Sequence, residues 1–387
     1  MVKNLTYGKT RTVAVYLVAC AAALLLPANA NGEASEDVID AALAKADPDR
    51  SILWYDALLL GVEGKGWSDT KAPFDRLPGK AEGVVRPPVW NLSRHSAGLC
   101  VRFVTDSTAI DARWTLTSKR LAMPHMPATG VSGVDLYVKT DRGWRWLAVG
   151  RPTKQSNSVR LAGGIPTGKR EFLLYLPLYN GVQSIEIGLP KGSVLSKAPA
   201  RGPDHRKPIL FWGTSITQGG CASRPGMVHT AILGRRLDHP IVNLGFSGNG
   251  KMEPEMARLV AEVDAAVYVI DCLPNMTASE VTKRVENVVT SIRKAGRDAP
   301  ILLVEDRSYA DAFLLDFKRK RNATSREALK NAFQRLQAKG VKRVYYLEGG
   351  DLIGNDGEAT VDGSHPTDLG FMRMADVFES ALRPLLP

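Results

Sequence analysis

The chain has 387 residues, of which 44% are hydrophobic and 24% charged, proportions typical of a soluble globular protein with a sizeable core. This length predicts about two domains. The formal net charge is +11, but the basic residues are scattered along the chain instead of running together. The composition therefore gives no support to nucleic-acid binding, and it leaves open a basic face toward acidic polysaccharide or another anionic surface.

The first 30 residues have the pattern of a secretory signal peptide. Three basic residues precede an apolar stretch at 13–26, and Ala28-Asn29-Ala30 fits a small-x-small cleavage site. The apolar stretch is too short for a comfortable membrane span, so we expect an exported protein, periplasmic or extracellular, with no integral membrane span. Residues 17–20 also resemble a lipoprotein box with Cys20 as the lipidated residue. Because apolar residues continue after Cys20, simple secretion is the favoured interpretation.

Three cysteines remain after this leader, namely Cys100, Cys221 and Cys272. An odd number leaves at least one thiol unpaired within the chain. Export permits disulfides. Cys221 follows a strand-end turn and Cys272 ends a later predicted strand, so a bridge between them is one hypothesis and three buried thiols is the other.

Residues 50–192 have the texture of a β domain. Gly, Pro, Asn and Asp separate short alternating runs, which lie at 99–103, 109–114, 134–138, 170–175 and 184–188. Many short strands with turn signals predict a β-sandwich of jelly-roll type. The following stretch at 192–207 is rich in Lys, Arg, Pro and Ser and is interpreted as a linker.

Residues 205–387 alternate apolar strands with amphipathic helical stretches. The predicted strands lie at 209–212, 241–246, 266–271, 301–304 and 343–347, and the predicted helices at 227–237, 252–263, 278–295, 324–339 and 367–385. This alternation predicts an α/β domain with a parallel five-stranded sheet between two layers of helices.

The most informative stretch is 208–220, where an apolar run ends in Gly213-Thr214-Ser215. Gly213 permits a sharp turn, so we expect Ser215 at the carboxyl edge of a strand, where α/β sheets place their sites. A phosphate-binding P-loop is excluded because no Lys lies between Gly213 and Gly220. An α/β-hydrolase elbow is excluded because position 217 is Thr and not Gly. By itself the motif also fits an ordinary glycine-rich loop between a strand and a helix.

A serine nucleophile needs a base and a third group that orients the base. Among the six histidines, His365 differs from the rest because Asp362 precedes it by three residues, in a loop after the last predicted strand. Pro366 is placed to open the final helix. An Asp at this spacing can hold the imidazole Nδ1–H and leave Nε2 facing a serine. The alternative is a solvated loop with a chance Asp-x-x-His.

Two further loops carry groups that could donate hydrogen bonds to an oxyanion. The glycines of 243–250, after the second strand, allow a backbone N–H to approach a ligand closely. Asn275, after the third strand, offers a side-chain N–H. The alternative is two tight turns in which Gly and Asn serve backbone geometry alone.

Taken in order, these blocks resemble the SGNH (GDSL-type) hydrolase superfamily over residues 208–387. The resemblance implies a flavodoxin-like fold and a serine esterase, with Ser215 as nucleophile, His365 as base and Asp362 as the group that orients it. It also implies three oxyanion donors, the backbone N–H groups of Ser215 and Gly248 and the side chain of Asn275.

Two positions depart from the family pattern. Thr214 stands where the first block usually has Asp, and Asn275 follows Asp-Cys-Leu-Pro instead of the usual Gly-x. In the β half, residues 133–137 read Gly-Val-Asp-Leu-Tyr and resemble the GxDLY signature of a β-sandwich that precedes some bacterial SGNH hydrolases.

The leading hypothesis is a secreted serine esterase that deacetylates an acetylated carbohydrate through an acyl-enzyme. A lipase or thioesterase of the same family is an alternative, although no long apolar lid-like segment is evident. A non-catalytic glycan-binding protein on an esterase scaffold is another. No cofactor motif is present, so no cofactor is expected. A metal site formed by Asp362, His365 and Glu305 is disfavoured against an ion pair within 305–307.

The β half carries one segment with a composition suited to contacts. Residues 120–127 hold two prolines, two methionines and a histidine between predicted strands. Proline stiffens such a segment and methionine adapts to irregular contacts. We expect it to form part of the rim of the catalytic cleft, so that deletion of the residues before about 200 damages activity or solubility. The alternative is a loop buried within its own domain.

Overall fold

The computed structural model describes residues 37–387. The predicted signal peptide at 1–30 and the lipoprotein residue Cys20 lie outside the described residues. Between residues 37 and 387, no helix is long and apolar enough to cross a membrane.

Residues 45–197 build two five-stranded antiparallel sheets. Their strands are β1 (Lys45–Ala46), β2 (Ile52–Asp56), β3 (Cys100–Thr105), β4 (Ala109–Leu116), β5 (Val134–Thr140), β6 (Gly143–Gly150), β7 (Ser156–Gly163), β8 (Arg170–Tyr175), β9 (Val182–Pro190) and β10 (Leu195–Lys197). One sheet has the order β1-β2-β9-β4-β7 and the other β10-β3-β8-β5-β6. Two short helices, α1 (Pro87–Ser93) and α2 (Ala128–Val131), lie in the connections.

The alternation of buried and partly exposed residues along the strands explains why these two sheets stack face to face. In β4, Ile110, Ala112 and Trp114 are buried while the residues between them on the second half of the strand are partly exposed. Phe103 and Phe172 are cross-strand partners in the other sheet, and their rings stack with centroids 5.5 Å apart. Residues of both sheets belong to one apolar cluster, so the predicted β-sandwich is confirmed.

Five strands of the sandwich escaped the sequence prediction, namely β1, β2, β6, β7 and β10, the last of which lies in the predicted linker. β6 and β7 are edge strands with many exposed residues, so their apolar alternation is weak. The stretch 192–207 contains β10, which pairs with β3. A three-residue strand at a sheet edge leaves too short a pattern to detect.

The second half forms a five-stranded parallel sheet, as predicted. Its strands are β11 (Ile209–Gly213), β12 (Ile241–Gly245), β13 (Val267–Asp271), β14 (Ile301–Val304) and β15 (Val344–Leu347). They lie in the order β12-β11-β13-β14-β15. The helices are α3 (Ser215–Gln218), α4 (His229–Leu237), α5 (Pro254–Glu262), α6 (Ala278–Lys294), α7 (Asp316–Ala338) and α8 (Asp368–Leu382). This strand order is that of the flavodoxin-like folds.

The parallel sheet is buried on both faces. Ile209 and Phe211 point toward α4 and α8, whereas Leu210 and Trp212 point toward α5, α6 and α7. Residues of the β-sandwich half pack into both clusters, for example Trp90 into the second and Tyr175 into the first. The two halves therefore share their apolar cores.

The sheet order also fixes where a site can form. β11 pairs with β12 on one side and with β13 on the other. The connection after β11 therefore leads to one side of that strand, and the connection after β12 crosses to its other side. Open α/β sheets bind ligands at such a switch point, outside the carboxyl ends of the strands. The loops after β11, β12, β13 and β15 meet there.

Candidate active site

Ser215 is the first residue of α3, directly after β11, and is 8% exposed. The Thr214 hydroxyl caps the helix by accepting a hydrogen bond from the Ile216 N–H at 3.3 Å. The expected role of Gly213 is corrected, because Gly213 is absent from the residues with positive φ. A glycine is required at position 213 for steric reasons, because a Cβ atom there would collide with the Thr217 hydroxyl.

Ser215, His365 and Asp362 form one hydrogen-bonded chain. Ser215 Oγ lies 2.8 Å from His365 Nε2, and His365 Nδ1 lies 2.8 Å from Asp362 Oδ2. With the proton on Nδ1, the imidazole donates to Asp362 and accepts from the serine hydroxyl. The side chains of His365 and Asp362 are 24% and 42% exposed, so this end of the chain is open to solvent.

Asp362 is held by the backbone of its own loop. Its Oδ1 accepts hydrogen bonds from the N–H groups of Ser364 at 3.0 Å and His365 at 2.8 Å. Partial burial opposes ionisation of the carboxyl, but these bonds and the imidazole favour it more strongly and lower the pKa of Asp362 to about 2. The carboxylate is therefore ionised throughout the range in which a histidine base works.

A second aspartate, Asp271, lies at the end of β13 beside the serine helix. It is 4% exposed, and its Oδ2 accepts a hydrogen bond from the Thr217 hydroxyl at 3.1 Å. Burial raises the pKa of Asp271 to about 7. Sequence analysis did not single it out, because an Asp at a strand end carries no distinguishing pattern.

The two other predicted oxyanion donors lie on neighbouring loops. Asn275 Oδ1 accepts a hydrogen bond from the Gly250 N–H at 3.2 Å, which turns the amide NH2 group away from Gly250. Gly250 packs against the backbone of Gly213, where a Cβ would collide with the Gly213 carbonyl. Gly248 has φ +69° and open space beside its Cα. Gly248 and Asn275 line one cavity of about 580 Å³.

Hydrogen bonds from the β-sandwich half hold the serine loop. The Tyr179 hydroxyl donates to the Ser215 carbonyl at 3.0 Å. Gln218, in the last position of α3, donates to His95 Nδ1 at 3.2 Å and accepts from the Ser247 N–H at 3.0 Å. Burial, with a smaller contribution from the charge of Arg76, lowers the pKa of His95 to about 4, so its ring is a neutral acceptor at neutral pH.

Two arginines of the same half hold the end of β12 and the loop after it. Arg76 is 2% exposed and donates to the carbonyls of Asn243 at 3.0 Å and Gly245 at 2.8 Å. Arg86 donates to the Asn249 side chain at 2.8 Å and its carbonyl at 3.2 Å. Sequence analysis missed both residues, because they lie in irregular segments whose contacts are distant in sequence.

An ionic network holds the histidine loop. Arg307 Nε donates to the Ser364 carbonyl at 3.0 Å, and its two other nitrogens donate to the Ser364 hydroxyl and to Asp306. Asp306 also accepts from Arg321 at 2.7 Å, and Arg321 in turn donates to the Pro274 carbonyl at 2.8 Å. The network thus connects the loop of His365 with the loop of Asn275.

The predicted ion pair within 305–307 is therefore present, between Asp306 and Arg307. Glu305 does not join Asp362 and His365, since its carboxylate accepts from the Tyr346 hydroxyl and the Gly349 N–H. Among residues 37–387, no group of three His, Cys, Asp or Glu side chains is arranged to hold a metal ion.

The GxDLY segment connects the β-sandwich to the chain that follows the serine helix. Asp135 is fully buried and accepts from Arg224 at 2.8 Å, the Gly226 N–H at 2.8 Å and the Trp146 indole at 2.9 Å. Tyr137 lies under Arg235, whose guanidinium is 4.0 Å from the ring centroid. The motif therefore joins the two halves through direct contacts.

The segment 120–127 reaches the histidine. The rings of His125 and His365 lie 5.8 Å apart between centroids. Met126 is 2% exposed and packs in the apolar cluster of α4 and α8, while His125 is exposed. The β half thus contributes a side chain next to the candidate base, and the alternative of a loop buried within its own domain is wrong.

The disulfide hypothesis is also wrong. Cys100, Cys221 and Cys272 are all buried free thiols. Cys272 packs in the cluster on the α5–α7 side of the sheet, whereas Ala222, next to Cys221, packs in the cluster on the α4–α8 side.

Comparison with known proteins agrees with this architecture. Residues 206–383 match the GDSL-like lipase/acylhydrolase family, and residues 52–195 match the GxDLY N-terminus of SGNH-hydrolase-type esterases. No curated protein matches the sequence. A GDSL-like lipase from Bacteroides ovatus is 34% identical, with a TM-score of 0.82 over 86% of this chain and 98% of that chain.

Two more distant structures share the fold. The salicylyl-acyltransferase SsfX3 of a tetracycline biosynthetic pathway is 19% identical, with a TM-score of 0.68 over 89% of this chain and 98% of that chain. A family two carbohydrate esterase from Clostridium thermocellum, solved in complex with cellohexaose, is 16% identical, with a TM-score of 0.55 over 74% of this chain and 92% of that chain. The identity and coverage of the Bacteroides protein, together with the two family matches, establish that this chain belongs to the GDSL-like (SGNH) hydrolase family, with a GxDLY-type N-terminal region.

Proposed function

We propose that the protein is an exported serine esterase that removes acetyl groups from an acylated glycan, with Ser215 as nucleophile, His365 as base and Asp362 as its orienter. The observation that carries the proposal is the unbroken chain of two 2.8 Å hydrogen bonds from Ser215 Oγ through His365 to Asp362. The leader at 1–30 supports export.

The reaction follows from this geometry. Ser215 Oγ attacks the ester carbonyl carbon while its proton passes to His365 Nε2. The oxyanion accepts hydrogen bonds from the backbone N–H groups of Ser215 and Gly248 and from the Asn275 amide. Collapse breaks the ester C–O bond, and the leaving alcohol takes the proton from His365. Water then gives a proton to His365 and attacks the acyl-serine, which releases the carboxylic acid and returns the proton to Ser215.

The glycan part of the proposal is supported by the form of the site. Asp362 is partly solvent-exposed, and the cavity beside Gly248 and Asn275 combines backbone, amide and hydroxyl groups with charged side chains. Such a lining offers hydrogen-bonding partners to the hydroxyl groups of a polar alcohol.

Acetate release is the direct test. The protein is assayed on acetylated sugars, acetylated polysaccharides and p-nitrophenyl esters of increasing acyl length, alongside Ser215→Ala. We expect acetyl esters to be preferred and Ser215→Ala to lose about 10⁴-fold or more in kcat, because the members of a triad act as a unit. Serine-directed organophosphates should label Ser215 in the unsubstituted chain only.

Each alternative predicts a different result. A preference for long acyl chains identifies a lipase, and a preference for acyl thioesters identifies a thioesterase. Binding of glycans without hydrolysis of any ester identifies a non-catalytic protein. A Ser215→Ala variant with near-normal turnover refutes the assignment of the nucleophile.

A further inference from the structure

We propose that the cavity beside Gly248 and Asn275 binds a sugar that carries a carboxylate, with Lys251 as its ionic partner and Phe317 as the surface on which the sugar ring lies. The proposal rests on the proposed function, because it places this sugar on the alcohol side of the ester that Ser215 attacks. The substrate class would then be an acetylated glycan that contains uronic acid.

Four separate elements form the cavity walls. The loop after β12 contributes Gly248 and Lys251, the loop after β13 contributes residues 274–277, and the start of α6 contributes Ala278 and Glu280. The first turns of α7 contribute Phe317, Lys320, Arg321 and Thr324. The last three of these residues follow Phe317 by three, four and seven positions, so all four lie on one face of α7. The volume of about 580 Å³ is far larger than an acetyl group needs and lies within the range of small-ligand sites.

One cation of the cavity, Lys251, makes no ion-pair contact within residues 37–387, although its charge acts through space on the Glu280 carboxylate. Arg321 is occupied by Asp306 and the Pro274 carbonyl, and Lys320 lies 3.2 Å from Asp316. The only acidic residue in the lining is Glu280, whose carboxylate is tied to the Thr277 N–H in the capping box of α6 and lies 3.4 Å from Arg284.

Lys251 is half-buried, and within residues 37–387 its ammonium group makes no hydrogen bond or ion pair. A half-buried ammonium group gains most from a carboxylate that arrives with the substrate, because a charged hydrogen bond is stronger than a neutral one.

The apolar part of the lining suits the face of a sugar ring. Phe317 is 66% exposed, an unusual state for a phenylalanine on a helix next to a cavity. Pro274, Met276 and Ala278 extend the apolar surface, and Asn275, Thr277 and Thr324 add polar groups. A pyranose has apolar C–H faces and hydroxyl-bearing edges, so it complements a lining of this mixed character.

The test compares two esters that differ only in the carboxylate, methyl glucuronoside triacetate and methyl glucoside triacetate. We expect kcat/KM to be about 10-fold higher for the glucuronoside, which corresponds to one charge-assisted hydrogen bond. Lys251→Met should abolish this ratio, whereas Lys330→Met, which removes an exposed lysine of α7 outside the cavity, should leave it unchanged. Phe317→Ala should raise KM for both sugars, and Phe313→Ala, at an 84% exposed position outside this cavity, should not.

Four outcomes overturn the proposal. One is a ratio near unity in the unsubstituted protein, another is an unchanged ratio in Lys251→Met, and a third is an equal loss of the ratio in Lys330→Met. The fourth is a preference for p-nitrophenyl hemisuccinate over p-nitrophenyl acetate that depends on Lys251, because it would place the carboxylate on the acyl side.

Failure of the proposed function gives a different result, the absence of turnover on every ester including p-nitrophenyl acetate. The subsite is then tested by calorimetry with a galacturonate trisaccharide, whose binding should weaken about 10-fold in Lys251→Met and be unaffected in Lys330→Met. Absence of binding by the unsubstituted protein would overturn the subsite as well.

Discussion

The loop that carries Ser215 and the loop that carries His365 are held in place by different forces. Ser215 lies at a buried strand end and is fixed by packing and by hydrogen bonds from neutral groups such as Tyr179. His365 lies in an exposed loop and is fixed by charges, with Asp362 on one side and Arg307 behind Ser364.

The two aspartates nearest the reacting groups show the difference most clearly. Burial raises the pKa of Asp271 beside the serine helix to about 7, whereas the hydrogen bonds of its loop lower the pKa of Asp362 to about 2 despite partial burial. Ser215 is therefore positioned by exclusion of water and His365 by compensation of charge. Changes in charge should therefore disturb the two sides differently.

The largest effect is expected for the charge that orients the base. Asp362→Asn should lower kcat about 10⁴-fold at neutral pH, because an amide cannot stabilise the imidazolium and favours the wrong tautomer. The measurement is turnover of the best acetyl ester. Asp356→Asn is the matched control, since Asp356 is an exposed aspartate of the same region that pairs with Arg373. Equal losses in the two variants would contradict a specific role for Asp362.

A smaller effect is expected for Arg307, the residue that holds the loop of His365 in position. Arg307→Leu should lower kcat about 100-fold with little change in KM, since a loop displaced by about 1 Å costs this much. Arg307→Lys should recover part of the loss and Ser364→Ala should lose less, because each keeps some of the contacts. All variants are compared at a temperature where circular dichroism shows them folded. A KM effect without a kcat effect would exclude positioning of the base.

The buried aspartate gives a test by pH. An unfolded Asp titrates near 3.8, whereas the native carboxyl titrates near 7, so the native state binds more protons between these values. The favourable contribution of Asp271 is complete below about pH 4 and is lost as the pH rises through 7. Wild-type Tm should therefore fall from pH 5 to pH 8, and Asp271→Asn, which keeps an acceptor for Thr217, should flatten the profile. A profile unchanged by this substitution would show that Asp271 does not titrate in this range.

The contact between the halves is expected to matter for stability more than for rate. Asp135→Ala leaves the partly exposed Arg224 and the Gly226 N–H without their acceptor, and should lower the free energy of unfolding by about 2 kcal/mol. Chemical denaturation measures this loss. Once the variant is folded, its kcat should fall by less than tenfold. A large loss of kcat in fully folded protein would assign the motif a direct part in positioning Ser215.

No effect on Tm is expected for the reduction of disulfides. Residues 37–387 contain three free cysteines, so a reducing agent should not change Tm for a chain of these residues. Thiol titration of the denatured, unreduced protein should count three groups. A count of one would indicate that two of the three cysteines are bridged.

Much of this architecture is predictable because apolar strands are short and distinct. The predicted strand at 301–304 matches β14, and the predicted helix at 278–295 differs from α6 by one residue at its end. The order of motifs at strand ends also predicts from the sequence that Ser215, Asp362 and His365 lie together. Parallel strands bring their carboxyl ends to one edge, so position in the chain translates directly into position at the site.

Other features leave no local pattern. The predicted helix at 324–339 lacks the first two turns of α7, because residues 316–321 are charged or exposed and have no apolar period. Arg76, Arg86 and Tyr179 act across the boundary between the halves, at separations that no motif records. The sequence motif predicts that Gly213 serves through its conformational freedom, whereas the structure requires a glycine there for close approach to Thr217.

The reach of Arg76 and Arg86 into the end of β12 and the loop after it also limits how this protein can be recombined. Swapping the hydrolase half onto another front half at residue 200 would remove the donors for the carbonyls of Asn243 and Gly245 and for Asn249. A viable chimera would need both arginines and the irregular segments that carry them. The two halves of this architecture therefore need to be transferred together.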